Sequence, residues 1–452
     1  MLMILEAVNS FVWGVPALIL ILGAGIYLTI RAGFPQVRLF PRAIKAFFAP
    51  LRSDKKKQGT VSPFQALCTA LAATVGTGNI AGVAGAIAIG GPGAIFWMWI
   101  CALLGMVTKF AEATLAVRFR QKNNAGEFVG GPMYMIRKGM GIRWNCLAVL
   151  YCVFGVVAAF GVGNCTQVNA VICSINDVLR FLGTDESRLG NMFIGIVLAI
   201  IVGVMLSGGA KKIGSAAEKL VPVVSVGYIF LCVIAIVKHA GAVPEALSAV
   251  VRGAFSPGAV TGGMVGSMFQ ALRTGVSRGV FTNEAGMGTA SIAHAGADVE
   301  HPVKQGLLGM VEVFIDTVVI CTMTALVILT SGVDIFFGVD EGASLTIRAF
   351  SATFGNGVSV PIAVFLACFA LATILGWSLY GGRCAQFLFG DGAWPIFVAV
   401  QEIAVVISSV MNTGTVWMIA ETVNGMMSIP NLIALLALSG TFTALVKDYR
   451  QK

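Results

Sequence analysis

The sequence predicts an all-α membrane protein that crosses the bilayer many times, and three observations carry this prediction. Hydrophobic residues make up 57% of the 452 residues and charged residues only 11%, whereas soluble domains carry about 25% charged residues. Apolar stretches of about 20 residues, enough to cross a hydrocarbon core of about 30 Å, recur along the chain. Two of these stretches are interrupted by glycine-rich polar segments. Because the apolar runs are continuous and do not alternate with period two, a β-barrel is not expected.

The apolar stretches place about eleven transmembrane helices. Their predicted ranges are 10–30, 62–88, 93–117, 145–176, 190–207, 214–237, 262–293, 303–330, 356–388, 393–411 and 414–446. The last range is interrupted by NGMMSIPN (424–431), so it is either one span or two pieces. The first ten residues lack the basic start of a signal peptide, so we expect the first apolar run to be retained as a helix.

The distribution of basic residues predicts the orientation of the chain. The loop 31–57 carries eight basic residues against one acid, Asp54; the basic residues are Arg31, Arg38, Arg42, Lys45, Arg52, Lys55, Lys56 and Lys57. The positive-inside rule places this loop in the cytoplasm. Alternation then puts the basic stretches 118–143, 211–219 and 447–452 on the same side. We therefore expect a multi-pass protein of the cell membrane, with its N-terminus outside and its C-terminus in the cytoplasm. The net charge of +9 is explained by these loops, so no nucleic-acid partner is expected.

The two interruptions predict an inverted repeat. They read TVGTGN (74–79) and FTNEAGMG (281–288), and the second lies five spans after the first. A displacement by an odd number of spans inverts the second segment in the membrane, and a pair of glycine-interrupted helices in two inverted halves indicates a transporter site at the midplane. We expect an accessory helix with its basic loop (1–58), a first five-helix repeat (59–240) and a second, inverted one (241–452).

Unwinding a membrane helix exposes backbone groups that can bind ions. The following half-helix offers free N–H groups to an anion such as a carboxylate, and the preceding one offers carbonyl oxygens to a hard cation such as Na⁺. A zwitterionic amino acid with a coupling cation would satisfy both ends. The alternative interpretation is that the glycines only permit close helix packing.

Three segments resemble one family. PFQALCTALAATVGTGNIAGVAGAIAIGGPGAIFWMW (63–99), FQALRTGVSRGVFTNEAGMGTASIAHA (269–295) and NTGTVWMIAETVNGMMSIPNLIALL (412–436) are similar to the alanine/glycine:cation symporter family. The resemblance implies the five-plus-five inverted-repeat, LeuT-like fold of sodium-coupled amino-acid transporters, with discontinuous first and sixth core helices. It also implies sodium-coupled transport of alanine or glycine into the cell by alternating access. Proton-coupled symport, and a channel, remain alternatives.

The resemblance also implies residue roles. The backbone N–H groups of Thr77 and Gly78 would hold the substrate carboxylate. Further substrate contacts would come from Gln167, Phe281, Ala285, Gly286, Met287 and Trp377. A first sodium site would use the carbonyls of Ala72, Val75 and Ala370 and the hydroxyl of Thr373. A second would use Thr74, Asn79, Thr282 and Asp316. At Glu284 the chain departs from the small polar residue that this fold usually carries.

Several buried polar residues leave two interpretations open. Glu312 and Asp316 share one helix face, and they bind a cation or make structural contacts with Arg273 or Arg278. Lys109 and Glu112 are expected to form a structural pair. Gln167 contacts substrate or makes an interhelical hydrogen bond, and Trp377 caps the pocket or only packs. A wall of Phe281, Met287 and Trp377 would exclude branched substrates.

Other protein classes fit the sequence poorly. It contains no HExxH motif, no phosphate-binding glycine loop and no Ser/His/Asp set in a plausible layout, so an enzyme is not expected. The ten cysteines are scattered without a CxxC pair and there are three histidines, so neither a disulfide framework nor a metal centre other than Na⁺ sites is predicted. We expect no cofactor, and a functional monomer whose partners are the amino acid, Na⁺ and the lipid bilayer.

Overall fold

Most of the chain is placed by a computed structural model, which describes residue 9 and residues 11–48, 61–255, 268–339, 342–411 and 414–451. Four parts of the sequence-based predictions lie outside these residues. They are Ser10 at the start of the first span, the basic residues at 52–57, the start of the seventh span at 262–267, and the C-terminal Lys452.

The described residues fold into helices and one short hairpin. In the first half these are α1 (Val15–Ala32), α2 (Pro35–Arg38), α3 (Phe40–Phe48), α4 (Pro63–Thr74), α5 (Ala81–Gly90), α6 (Gly93–Phe119), β1 (Gln121–Lys122), β2 (Phe128–Val129), α7 (Pro132–Tyr134), α8 (Asn145–Phe160), α9 (Thr166–Phe181), α10 (Arg188–Leu206) and α11 (Gly209–Lys238). In the second half they are α12 (Val243–Phe255), α13 (Met268–Asn283), α14 (Thr289–Ala295), α15 (Pro302–Val313), α16 (Thr322–Thr330), α17 (Ala343–Phe354), α18 (Ser359–Phe389), α19 (Ala393–Ser408), α20 (Gly414–Ala437) and α21 (Ser439–Gln451).

Tighter and wider helical turns connect several of these helices. Turns of 3₁₀ type lie at Thr77–Asn79, Ile142–Trp144, Ala240–Ala242 and Asn356–Val358, and π-helical segments at Met135–Met140, Gly161–Cys165 and Phe314–Cys321. π-Helical turns inside membrane helices are frequent at functional sites because they displace backbone carbonyls from their usual partners. Two of the three π segments here adjoin predicted site residues, since Gly161–Cys165 precedes Gln167 and Phe314–Cys321 contains Asp316.

Both predicted interruptions are real breaks in helices. The first broken helix begins at α4 with a capping box, in which Ser62 Oγ accepts a hydrogen bond from the Gln65 N–H at 3.0 Å. Pro63 occupies its first turn, as is typical of a helix start. Helix α4 ends at Thr74, and the continuation after the break is bent by 56°. The second break separates α13 from α14.

The two broken helices lie antiparallel, as an inverted repeat requires. The first half of each contacts the second half of the other: α13 packs on α5, and α14 packs on α4. A parallel backbone bridge between Val61 and Ala297 also joins the start of the first broken helix to the segment that follows the second. The two breaks therefore meet halfway along both helices, in the centre of the protein.

The number of membrane spans stays a prediction. Within the described residues, seven helices are long and apolar enough to cross a membrane, or nine if each of two bent pairs counts as one span. The burial of these helices differs: 67% of the most apolar window of α6 is buried, against 28% of that of α10. Helix α6 therefore belongs to the interior, and α10 presents most of its apolar surface outward, as a lipid-facing helix does.

The C-terminal helix bends at a different place from the one the sequence suggested. Helix α20 runs through NGMMSIPN without a break and contains Pro430. The bend of 59° falls between Ala437 and Ser439, where a Ser439–Gly440 pair begins α21. Serine–glycine pairs are a common cause of sharp helix kinks.

Candidate functional site

The first break is held open by an asparagine side chain. Asn79 Oδ1 accepts a hydrogen bond from the Gly76 N–H at 2.8 Å, and the Asn79 N–H donates to the Gly76 carbonyl at 3.2 Å. These bonds close a 3₁₀ turn over Thr77–Asn79. The backbone N–H groups of Thr77 and Gly78 donate no hydrogen bond within the described part of the chain, so they are available to a ligand.

At the second break, a side chain of the protein already accepts hydrogen bonds from the backbone N–H groups. Glu112 Oε1, from α6, accepts from the Gly286 N–H at 2.9 Å and the Gly288 N–H at 3.1 Å. Asn431, from α20, donates to the same oxygen at 2.7 Å and to the Gly286 carbonyl at 2.9 Å. A carboxylate is stabilised at the start of a half-helix. An anionic ligand therefore finds free donors at the first break and not here.

A cavity of about 250 Å³ lies between the two breaks. Its walls combine the backbone of the first break with side chains from α9, α13, α18 and the second break. They are Ala73, Thr74, Gly76, Thr77, Gly78, Val162, Gln167, Phe281, Glu284, Thr373 and Trp377. Five of the eight predicted substrate residues thus surround one space: Thr77, Gly78, Gln167, Phe281 and Trp377.

The other three predicted substrate residues point elsewhere. Ala285 packs against Gly105 of α6, where an added Cβ would lie 2.9 Å from the Ala285 Cβ. Gly286 is bonded on both sides by Glu112 and Asn431, and Met287 is fully buried outside the cavity wall. The prediction that Ala285, Gly286 and Met287 line the pocket does not match this geometry. Glu284, whose role the sequence left in doubt, takes their place in the wall.

Gln167 makes the interhelical hydrogen bond considered for it and also lines the cavity. Its Oε1 accepts from the Thr77 hydroxyl at 3.0 Å, and its Nε2 donates to the Val162 carbonyl at 3.1 Å, within the π-helical segment. The first bond links α9 to the first break and the second fixes the direction of the amide. The side chain also forms part of the cavity wall.

Two residues of the predicted first sodium site, Thr373 and Ala72, are in direct contact. The Thr373 hydroxyl donates to the Ala72 carbonyl at 3.1 Å, so α18 contacts the last turn of α4. A Cβ on Gly76 would lie 2.5 Å from Thr373 Oγ1, so the absence of a side chain there permits the approach. Ala370 lies one turn before Thr373 on the same face of α18, and Val75 follows the helix end as extended backbone. Oxygen ligands from carbonyls and a hydroxyl suit a hard cation.

The predicted second sodium site centres on Asn79 and Asp316. Asn79 Nδ2 donates to Asp316 Oδ1 at 2.7 Å and to the Asp316 carbonyl at 3.1 Å. Asp316 Oδ2 accepts from the Thr317 hydroxyl at 2.7 Å. Thr282 and Thr74 lie nearby but direct their hydroxyls to their own helices, Thr282 to the Gly279 carbonyl at 2.9 Å and Thr74 to the Ala70 carbonyl at 3.2 Å.

The ion pairs among the buried residues differ from those the sequence suggested. Lys109 Nζ lies 3.3 Å from Glu312 Oε1 on α15, and not beside Glu112 as predicted. Glu312 also bonds His294 Nε2 at 2.8 Å. The expected contact of Glu312 or Asp316 with Arg273 or Arg278 is not among the ion pairs of the described residues: Glu312 pairs with Lys109 and His294, and Arg278 pairs with Glu421 on α20 at 3.3 Å. The sequence spacing predicts which helix face each residue lies on, but the packing of the helices determines which residue it pairs with.

Three buried carboxylates face the centre without a basic partner. Glu112, Glu284 and Asp316 are each at most 2% exposed. Each accepts hydrogen bonds, but within the described ranges none lies within ion-pair distance of Lys, Arg or His. Burying an unpaired charge is costly, and intramembrane acids usually mark ion or substrate pathways. These three acids are therefore candidate contacts for a cation or a substrate.

Two further cavities lie at opposite ends of the broken helices. One, of about 440 Å³, lies where α4 begins and α14 ends, and Glu127 and Arg383 in its wall form an ion pair at 2.8 Å. The other, of about 630 Å³, lies where α13 begins, and its wall includes Arg273 and the Arg278–Glu421 pair. These two cavities, called the vestibules below, share no lining residue with the central cavity.

Sequence reasoning missed two polar residues at the site. Glu112 and Asn431 both hold the second break, and neither lies within a broken helix. A signal for Glu112 existed, since it is the one acid inside the long apolar range 93–117, and acids within membrane helices are unusual. Asn431 gave a weaker signal, because it was assigned to an interruption of the last helix.

Comparisons with known proteins agree with this geometry. A transporter of Haemophilus influenzae, described as uncharacterized, is 43% identical over 454 residues, covering 99% of this chain and 96% of the relative. The sodium/alanine symporter AgcS of Methanococcus maripaludis is 42% identical over 453 residues, covering 99% and 97%.

Two solved structures share the fold at low sequence identity. MhsT in complex with L-phenylalanine has a TM-score of 0.60 at 14% identity, covering 87% of this chain and 98% of that one. Mhp1, a transporter of the nucleobase-cation-symport-1 family in a closed conformation with bromovinylhydantoin bound, has a TM-score of 0.54 at 13% identity, covering 89% and 81%. The predicted transporter fold is thereby confirmed.

The sequence matches the sodium:alanine symporter family over residues 1–452. This is a family of transporters and not of enzymes, as the sequence motifs had indicated. With two broken helices around a central cavity, buried acids beside it and a family match over its whole length, the chain belongs to the sodium:alanine symporter family.

Proposed function

We propose that this protein carries alanine or glycine into the cell together with Na⁺ by alternating access. The observation that carries the proposal is the cavity between the two breaks, where the unpaired N–H groups of Thr77 and Gly78 adjoin the oxygen atoms around Thr373. The N–H groups bind the substrate carboxylate and the oxygens bind the cation. A relative at 42% identity is named a sodium/alanine symporter, which supports the same substrates.

Two cations fit the residues around the first break. The first would be held by the carbonyls of Ala72, Val75 and Ala370 and by Thr373. The second would be held by the Thr74 carbonyl, Asn79, Thr282 and Asp316. For the second set, Asn79 directs its Nδ2 and not its Oδ1 at Asp316, so the amide must turn, and the Thr282 hydroxyl must leave the Gly279 carbonyl, before both can bind the cation.

The side chains in the cavity wall support a small substrate. Phe281 and Trp377 both contribute to its wall, and Trp377 is held from behind, because Gly163 of the π-helical segment packs directly on its Cβ. An indole supported in this way cannot easily retreat from a larger substrate, since overpacking a close-packed site is costly. Phe281 and Trp377 therefore exclude branched and aromatic side chains.

The proposal also includes the orientation of the protein in the membrane and its oligomeric state. We place the protein in the cell membrane with its N-terminus outside and its C-terminus in the cytoplasm, as the basic loops require. The vestibule with Glu127 and Arg383 then opens to the cytoplasm, and the one with Arg273 to the outside. Residues 59–240 and 241–452 form the two inverted halves, residues 1–58 are accessory, and a monomer embedded in the lipid bilayer contains the complete site.

Uptake of labelled alanine into proteoliposomes tests the proposal. An inward Na⁺ gradient should drive concentrative uptake, and unlabelled glycine should compete. Accumulation driven only by an H⁺ gradient would keep the transporter and move the coupling to Asp316 or Glu284. Ion flux without concentrative uptake of any small amino acid would contradict the proposal and favour a channel.

A further inference from the structure

One carboxylate in the wall of the central cavity accepts a hydrogen bond on one of its two oxygens. Glu284 Oε2 accepts from the Thr289 hydroxyl at 2.5 Å. Its Oε1 accepts no hydrogen bond from the residues that the structure describes, although a carboxylate oxygen can accept two. The side chain is 2% exposed and belongs to the cavity wall. Its unused oxygen is therefore available to a ligand in the cavity.

The backbone of Glu284 adopts a conformation that glutamate rarely takes. Its φ is +54°, and in the described part of the chain only one other non-glycine residue, Phe34, has a positive φ. The left-handed region is unfavourable for residues with a Cβ. Glutamate occupies this position, whereas the next two residues with positive φ, Gly286 and Gly288, are glycines. Strained backbone retained in this way points to a function for the side chain.

Within the described residues, no Lys, Arg or His lies within ion-pair distance of Glu284. The nearest buried cation on α6, Lys109, is paired with Glu312 at 3.3 Å. Across the cavity, the first break presents the N–H groups of Thr77 and Gly78. One wall therefore presents a carboxyl group and the other presents hydrogen-bond donors suited to an anion. This arrangement is complementary to a zwitterion.

We infer that Glu284 binds the α-ammonium group of the substrate and thereby makes a free amino group a requirement for transport. The inference rests on the proposed function and names the residue that recognises one end of its substrate. An ammonium group donates to Oε1, while the substrate carboxylate lies on the N–H groups of the first break. Methyl groups on the substrate nitrogen remove donors and add bulk at this contact. A second carboxylate on a substrate would be repelled.

Binding measurements on the purified protein in lipid nanodiscs test this inference. Glu284→Gln keeps the shape of the side chain and removes its charge, and we expect it to weaken Na⁺-dependent binding of labelled alanine by about tenfold or more, since hydrogen bonds to charged groups are strong. Glu218→Gln is the matched control. Glu218 bonds Gln65 at 2.8 Å and does not contribute to the cavity wall, so alanine binding should be unchanged.

Substrate analogues separate ammonium binding from a structural effect. In the unaltered protein, N-methylalanine should compete with labelled alanine much more weakly than alanine does. Glu284→Asp withdraws the carboxylate by one methylene group, and we expect it to raise the affinity for N-methylalanine relative to alanine. Equal competition by the two compounds in the unaltered protein, or an unchanged ratio in Glu284→Asp, would overturn the inference without the need for the glutamine variant to fold.

The binding of Na⁺ alone separates the ammonium role from an ion-ligand role. A ligand that binds only the folded state raises thermal stability, so stabilisation by Na⁺ in the absence of amino acid reports ion binding. We expect this stabilisation to be the same in Glu284→Gln as in the unaltered protein. Its loss would make Glu284 a cation ligand and overturn the inference. If the unaltered protein binds no alanine, the proposed function itself fails, whereas unaltered alanine binding in Glu284→Gln refutes only this inference.

Discussion

The hydroxyl of Thr373 donates to the backbone carbonyl of Ala72 across 3.1 Å, beside the break that ends the same helix. A cation bound here would take both oxygens as ligands. We expect Thr373→Ala to abolish Na⁺-driven alanine uptake, or to raise the half-saturating Na⁺ concentration by about tenfold, because one of few ligands is lost. Thr373→Ser keeps the hydroxyl and should retain uptake. Equal Na⁺ dependence in both variants would exclude Thr373 as a ligand.

Gly76 allows Thr373 to approach the first break. A Cβ at this position would lie 2.5 Å from Thr373 Oγ1, closer than real Cβ contacts occur. We expect Gly76→Ala to displace the hydroxyl and to lower Na⁺-driven uptake to background. In Gly23→Ala the added Cβ meets nothing within 4 Å, so this control should transport normally. Full uptake by a correctly inserted Gly76→Ala protein would show that the approach is not required.

Asp316 is the one acid in direct contact with the asparagine of the first break. We expect Asp316→Asn to reduce the number of Na⁺ ions that act per substrate, so the Hill coefficient for Na⁺ should fall while Thr373-dependent binding remains. Thr317→Val removes a donor to Asp316 without removing the charge, and its effect should be smaller. The measurement is initial alanine uptake against Na⁺ concentration. An unaltered curve in Asp316→Asn would remove the second site from the mechanism.

Trp377 lines the cavity, whereas Met287 does not. We therefore expect Trp377→Ala to admit larger amino acids such as leucine, because the space of the indole becomes available, and Met287→Ala to leave selectivity unchanged. Both proteins are compared by competition of a panel of amino acids against labelled alanine. A broadened selectivity in Met287→Ala alone would reverse the assignment, and it would restore the interpretation based on sequence.

The pair of Lys109 and Glu312 is fully buried. Removing one partner leaves an uncompensated charge in the interior, so Glu312→Gln should lower the free energy of unfolding by about 3–5 kcal/mol. Adding Lys109→Met removes the second charge and should recover most of that loss. Denaturant titration in mixed micelles measures both values. A double variant as unstable as the single one would mean that His294, and not Lys109, accounts for the stability that Glu312 confers.

Features that depend on local sequence could be predicted well. The length and hydropathy of the apolar runs determined that the chain is a bundle of membrane helices. The glycines and amides of TVGTGN and FTNEAGMG determined where two helices break. Thr77, Gly78 and Gln167 were assigned through the resemblance to a known family, and the first two also lie in a break that is visible as an interruption of apolar sequence. Each of these properties belongs to a few neighbouring residues.

The direction in which a side chain points, and the residue with which it pairs, could not be predicted in this way. An unwound segment has no regular periodicity, so sequence spacing could not show that Glu284 faces the cavity while Ala285 faces α6. The spacing of Lys109 and Glu112 placed both on one helix face, yet Lys109 pairs with α15 and Glu112 holds the second break.

The sequence by itself therefore determined the class of fold, the two breaks and the backbone groups that they release. Only the tertiary structure decided which of these groups are free and which the protein already occupies. The physical reason is that an ionisable side chain in a membrane interior takes the best partner within reach. That partner is set by how helices from distant parts of the chain pack together, as in the contact of Asn79 with Asp316, 237 residues later.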